Sequence, residues 1–525
     1  MITRLRRSFA DDSGFTLVAV TVSMMILGLF AVGAWAAANQ DLPYGRQDLE
    51  RKRAYEAAEA GVQWYAYQLA TDTNYWAKCG HAQSDEVPDF VQNKGTRNAW
   101  RLVGGSDGDF TATDDALQEK FAIELMPIDT TKPCTVAAAG SRLLDDGVLT
   151  IRSTGRYAGH QRQVVATFRR SGFLDYIYYT KRETSPPAAY TAQGQSVSWA
   201  AANCDQRRGL RPSGCTAIQF IGTDAIKGPL HTEDDSLLVC GAPTFGRSAA
   251  DKIEILGATT ASNASVQNSG CSGSPNWAGA LQFPPKSVDL PDSNTALSAV
   301  ADRTYSGTTC LQFNANGTMS VFGNLTCAGT ATSTVTLATD TTIWVANNGS
   351  CSVGYSYYQK YSNPASCGDV GVKGTYSKNV TIGAANDIVV VGNLTHSGDG
   401  LMGLVANQFV RIYHPVTWNG NDCGNNVLST PVSTVEAAIL ATTGAWINDN
   451  WACGSALGNI TVRGAIAQKW RGAVGTGSGG SASTGYVKDY NYDDRLRYRE
   501  PPNFLDPVTV NWNLLRVTEQ TPVGT

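Results

Sequence analysis

Residues 13–38 read SGFTLVAVTVSMMILGLFAVGAWAAA, and the organisation of the chain follows from them. From Phe15 to Ala38 there are 24 positions without a charge, enough helix to span a hydrocarbon core of roughly 30 Å. Arg4, Arg6 and Arg7 stand ahead of this run. They favour a cytoplasmic N-terminus, so everything after residue 39 would be translocated. A secretory signal places its small-residue cleavage site after the apolar region. Here the small residue, Gly14, stands directly before it, at a Gly14–Phe15 junction.

A basic leader, then Gly14, Phe15, Thr16 and Leu17, then an uninterrupted apolar run, resembles the class III signal of type IV pilins and pseudopilins. The resemblance implies a peptidase that cuts after Gly14 and N-methylates Phe15. It also implies that the helix carrying Thr16, Leu17 and Ala19 packs in a filament core. Most pilins carry a glutamate at the fifth mature position, which neutralises the terminal amine of the adjoining subunit; here that position is Ala19. An unpaired carboxylate inside a bilayer is costly. Its absence fits a minor, tip-located subunit, or a protein that never joins a filament.

Beyond the apolar run, Pro43 is expected to kink or loosen the helix. Residues 46–70, RQDLERKRAYEAAEAGVQWYAYQLA, resume a helical pattern. Ala54, Ala57, Ala58, Gly61 and Tyr65 fall on one side at spacings of three and four, a small-residue face suited to close packing. This stretch resembles the post-membrane signature of PilX-type minor pilins. Glu56 and Glu59 read as a solvated face rather than an acid/base pair.

The expected class is α+β: a long N-terminal helix, a small pilin-like antiparallel sheet, then a large all-β distal domain. Residues 1–14 form the leader, 15–38 the membrane helix and 39–74 its extracytoplasmic continuation. A head follows over 75–172, where residues 120–129 and 148–170 alternate with period two around a turn at Ala158–Gly159, next to His160. Residues 173–196 read as a linker because of their Pro, Ala and Gly content. Residues 197–507 contain short β-branched runs broken by Gly and Asn, consistent with a parallel β-helix or an irregular β-sandwich. Within them, 475–485 reads as a flexible loop. Residues 490–507 read as a cap or a return along the domain, and 508–525 as a tail.

The 12 cysteines are Cys79, Cys134, Cys204, Cys215, Cys240, Cys271, Cys310, Cys327, Cys351, Cys367, Cys423 and Cys453. All follow the apolar segment and none forms a CxxC. That spread disfavours zinc and thioredoxin-like chemistry and favours disulfides in a translocated domain. Neighbour pairing (204 with 215, 310 with 327, 351 with 367) is the expectation.

A net charge of −4 argues against a nucleic-acid footprint. The chain lacks G-x-S-x-G, H-E-x-x-H and a phosphate-cradling loop. The best local cluster, HTEDD at 231–235, offers His231, Asp234 and Asp235 as weak metal candidates, more simply read as a polar turn; His396 lies in a second turn-like segment. No cofactor is expected. The 12 Trp and 21 Tyr could supply a sugar-stacking or adhesive surface. The resemblance implies, as partners, other pilins, the prepilin peptidase, the assembly platform and the cytoplasmic membrane. Two alternatives are an anchored adhesin outside any filament and an anchored β-helical carbohydrate-active enzyme.

Overall fold

The computed structural model describes residues 15–71, 100–105, 117–126, 148–170, 172–283, 285, 287–351, 355–478, 481–497, 500–505 and 512–520. An apolar N-terminal helix is followed by a large β-rich region. The chain divides into two compact units. One comprises Met1–Ser141, Leu149–Arg169 and Leu514–Thr525; the other comprises Arg142–Val148 and Arg170–Asn513.

The smaller unit begins with one helix, α1 (Phe15–Thr71), assigned without interruption through Pro43. A proline removes one intrahelical hydrogen bond. The Ala, Leu, Glu and Arg around it are strong helix formers, so the helix continues past it. Strands β1 (Arg101–Leu102), β2 (Lys120–Met126), β3 (Val148–Tyr157) and β4 (His160–Arg170) form a sheet in that order. β3 and β4 join at Ala158–Gly159, with φ of 48° and 82°, the pair of positive values that a primed hairpin turn demands.

The small-residue face of α1 lies against this sheet. Ala54, Ala57, Ala58, Tyr65 and Leu69 are buried, as are Phe121, Ile151, Val164 and Phe168 opposite them. Gly155 on β3 lets the backbones meet, since a Cβ there would lie 2.0 Å from the Ala54 carbonyl oxygen. A fifth strand, Trp512–Gln520, adjoins β4. These residues were expected to be a tail. Their partner lies more than three hundred positions upstream, so no local pattern announces the pairing. In sequence, Arg170–Asn513 of the larger unit thus falls between two neighbouring strands of one sheet.

In the larger unit the ladders are mostly parallel and stack rung on rung. Strands Arg303–Ser306, Asp340–Ala346, Asn379–Ala384, Met402–Ala406, Thr434–Ala441 and Ala456–Trp470 follow one another in sequence and space. A second parallel series runs Thr309–Asn314, Val370–Tyr376, Ile388–His396, Val410–Ile412, Trp446–Asn448.

Sequence order then breaks. Ala456–Trp470 is covered by two distant segments: Gly464 pairs with Tyr492, and Ile466 pairs with Tyr178. From that divided rung the stack continues through Leu230–Thr232, Lys252–Ile255 and Ala280–Gln282. The chain therefore enters mid-stack, builds to one end, crosses to the other, and winds back to meet its own beginning.

Residues 283–302 make the crossing, and their contacts trace the route. The Val288 amide donates to Glu233 (2.6 Å), and Lys181 pairs with Asp289 (3.1 Å). Buried Asn294 donates to the carbonyls of Ala384 (2.7 Å) and Val405 (2.8 Å), and Asp302 accepts from the Thr342 amide (2.7 Å).

One apolar file runs through the stack in register: Ile343, Ile382, Leu404, Ile439, Ile466, Tyr178, Leu230 and Ile253. Each is 2 % exposed or less. Burial of such side chains contributes about 1.5–3 kcal/mol apiece. The file crosses the divided rung without interruption.

Three further expectations change. Residues 173–196 are no linker: Phe173, Leu174, Glu183, Ser185 and Tyr190 are buried, and Tyr178–Arg182 is a central strand. Their Pro and Gly content shapes turns in a packed segment. Residues 475–485 form a hairpin of Gly475–Ser478 on Ser481–Tyr492 rather than a free loop. The domain expected at 197–507 begins earlier, at Arg170.

Among the described residues, five disulfides join Cys204–Cys215, Cys240–Cys271, Cys310–Cys327, Cys351–Cys367 and Cys423–Cys453. Cys79 and Cys134 lie outside the described residues, as does Gly14.

Candidate functional site

The first candidate site is α1 itself. Leu17–Trp35 is long and apolar enough to cross a membrane, with mean hydropathy 2.4 and none of the segment buried within the protein. Leu17, Met25, Leu29, Phe30 and Trp35 are exposed large apolar side chains, and Ala19 is exposed between them. Water would not tolerate such a surface uncovered. The segment's two hydroxyls are already satisfied: Thr21 Oγ1 donates to the Leu17 carbonyl (2.9 Å) and Ser23 Oγ to that of Ala19 (2.7 Å). Folding hydroxyls back onto the helix removes the cost of placing them in hydrocarbon. Phe15 and Thr16 open the helix. Its lower part packs on the sheet, while Glu56 and Glu59 are exposed and Glu59 accepts from the Tyr55 hydroxyl (2.8 Å).

In the 231–235 cluster, His231 lies on the strand Leu230–Thr232, whereas Asp234 and Asp235 lie in the bend that follows it. Buried His231 faces Glu233 and Glu254, with Nε2 2.8 Å from one and Nδ1 2.9 Å from the other. Its ring stacks on Tyr179, centroids 5.4 Å apart. Burial alone would lower the imidazole's pKa; its hydrogen bonds to both carboxylates outweigh that and raise it. The two carboxylates are held below their ordinary range, against the effect of burial, by the same imidazole.

Asp234 faces different groups. It accepts from the amides of Glu183 (2.8 Å) and Arg208 (2.6 Å) and pairs with the Arg211 guanidinium. Asp235 accepts from the Gly209 amide (2.8 Å) and lies 3.4 Å from Arg207. His231, Asp234 and Asp235 are therefore not brought together around one point. Among the described residues no group of three His, Cys, Asp or Glu could hold a metal ion. His396 pairs with Glu436 (2.6 Å), which also holds Arg463 (2.8 Å).

Sequence reading missed the buried ion pairs at the divided rung. Glu183 meets Arg471 at 2.8 Å and Asp224 meets Lys488 at 2.6 Å. The Arg471 guanidinium also lies 3.5 Å over the Phe220 ring. No local signal marks these residues, because each pair joins the start of the stack to its end.

No family model and no curated protein matches the chain. Among solved structures, the competence-associated pilin ComZ from Thermus thermophilus is similar at 13% sequence identity, covering 90% of this chain and 97% of that one, with a TM-score of 0.29. Similarity that slight carries no argument about fold or function.

Proposed function

We propose that this chain is a type IV pilin-like subunit with a structural rather than catalytic role, a minor component that displays its large β-rich unit. The observation that carries the reading is α1: a membrane-length apolar segment with no partner inside the protein, continuous with a small-residue face packed on an antiparallel sheet. In this reading the prepilin peptidase cuts between Gly14 and Phe15, and the new N-terminus is methylated. The helix waits in the cytoplasmic membrane with its N-terminus in the cytoplasm. The assembly platform then draws it into a filament, where helices of other pilins replace lipid around Leu17 and its neighbours. Ala19 in place of the usual glutamate suits a minor or tip subunit. The stacked parallel rungs are a β-helix in this account, stiff and disulfide-braced outside the cell.

N-terminal sequencing and intact mass of the protein, recovered separately from membranes and from sheared surface filaments, test the proposal. The expected species begins at N-methylated Phe15 and occurs in the filament fraction. A chain still beginning at Met1 and confined to membranes overturns it in favour of an anchored adhesin.

A further inference from the structure

A cleft of about 240 Å³ opens on the larger unit where loops leave the stacked rungs. Its walls include Asn324, Gln359, Tyr361, Asn363, Asp369 and Arg411. It is smaller than the roughly 300–1,000 Å³ of sites for drug-sized ligands, a size for a single ring.

The charged groups are buried and already committed. Asp369, 2 % exposed, accepts from Asn363 Nδ2 (2.8 Å), Asn386 Nδ2 (2.5 Å) and the Asp387 amide (3.3 Å). Arg411, 1 % exposed, donates to Asp387 (3.0 Å) and twice to Asp449 (2.9 and 3.0 Å). A carboxylate with three N–H donors is a poor chelator of a bare cation. A guanidinium shared by two carboxylates is a poor receptor for a phosphate. The lining still mixes amide, hydroxyl and carboxylate groups on a fixed frame. Sugar hydroxyls, each both donor and acceptor, suit such a set.

The frame is rigid. The disulfides Cys310–Cys327 and Cys351–Cys367 brace the lining loops. Tyr361 adopts φ of 53°, a left-handed conformation that a bulky residue holds only under constraint. Its hydroxyl accepts from the His414 amide (3.0 Å), and its ring packs on Tyr413, centroids 4.5 Å apart. One residue from Gln359, Tyr358 is 41 % exposed and packs edge-on to Trp418, so a further ring stands in solvent on the same loop. Preorganised polar groups beside aromatic rings keep the ordering cost of binding low.

From this arrangement we infer that the cleft binds a neutral saccharide, one ring of it seated against Tyr361 and Asn363. The inference concerns the displayed unit and stands whether or not the chain enters a filament.

Saturation-transfer NMR and calorimetry on the full chain in detergent micelles test it. The probes are a neutral glycan panel, with inorganic phosphate and calcium as charged comparators. Gly323 lines the cleft and a Cβ added there meets nothing within 4 Å, so Gly323→Trp places a bulky ring at the cleft wall. Binding of at least one neutral glycan is expected, weakened at least tenfold in Gly323→Trp and in Asn363→Ala and unchanged in the remote surface variant Thr259→Ala. Intact disulfides and an unchanged near-ultraviolet dichroism spectrum would show that both cleft variants fold. The idea is sunk if no neutral glycan binds, if binding survives both cleft variants, or if only phosphate or calcium gives a signal.

Discussion

Glu183 and Arg471 are 288 residues apart in sequence and 2.8 Å apart in space, and each side chain is only 1 % exposed. The pair sits where the first strand of the stack meets the last full turn of chain, and it closes that join. Removing one partner strands a buried charge, which costs about 3–5 kcal/mol, whereas replacing both with apolar residues of similar volume is often neutral. Glu183→Ala should therefore lower unfolding free energy by about that amount, and Glu183→Met with Arg471→Met should recover most of it. Urea unfolding followed by tryptophan fluorescence measures both; equal losses in the single and double variants would remove the pair from this role.

The in-register apolar file gives a graded expectation. Ile439 lies between Leu404 and Ile466 and is 1 % exposed. Ile439→Val should cost about 0.5–1.5 kcal/mol and Ile439→Ala about 2–5 kcal/mol. Losses confined to a few tenths in the same urea experiment would mean that the rungs do not depend on this file.

The environment of Asp387 makes the larger unit sensitive to pH near neutrality. Burial pushes its carboxyl up, Arg411 opposes, and the result is about 7. Between the ordinary carboxylate value near 4 and about 7, the folded chain then holds a proton that the unfolded chain has released. Stability contributed by this group should fall as pH rises through that window and level off above it. Asp387→Asn should flatten the slope. A ¹³C carboxyl resonance titrating below pH 5 would contradict the assignment.

His231 titrates in the opposite setting. Both ring nitrogens face carboxylates, which requires two N–H donors and hence the imidazolium. Its folded pKa is raised, so its stabilisation is complete below the ordinary value of 6.5 and is lost as pH rises through the folded value. The lowered pKa values of Glu233 and Glu254 set the acid limit, where their contribution disappears as pH falls through them. Proton NMR of the ring should find a midpoint above 6.5; one at or below that value would refute the charged pair.

In the smaller unit, Gly155→Ala sets a methyl group against the Ala54 carbonyl and the Ala58 amide. Overpacking of this kind costs about 1–3 kcal/mol, and here it must part a helix from a strand. The melting temperature should drop measurably, while Gly159→Asn, in a left-handed turn with open space around it, should be tolerated.

The helix was legible because its information is local. Twenty-four uncharged positions and small residues spaced three and four apart announce one apolar segment and one packing face. Many strands were legible for the same reason, including Ile388–His396 and Met402–Ala406, whose β-branched and apolar runs stand between turn residues. What escaped is everything non-local. Tyr178 gives no sign that it will sit between Ile466 and Leu230, and Trp512–Gln520 carries no mark of its neighbour β4. His231, Asp234 and Asp235 looked like a cluster because they are close in sequence, yet His231 sits on a strand facing Glu254 while Asp234 and Asp235 lie in the bend after it and bond the amides of Glu183, Arg208 and Gly209.

The position of Arg170–Asn513 in sequence, between two strands that pair in one sheet, bears on the timing of folding during synthesis. A chain that emerges N-terminus first delivers β4 early and its edge partner, Trp512–Gln520, only after more than three hundred further residues. The stack behaves likewise: Tyr178–Arg182 must wait for Ala456–Trp470 before it has a neighbour on that side. Neither unit can be finished from a partial product. Termination before Ala456 would leave both without these partners, exposing unpaired edges that quality-control proteases can recognise. Such a topology acts as an inspection step: only a chain delivered in full can close both units.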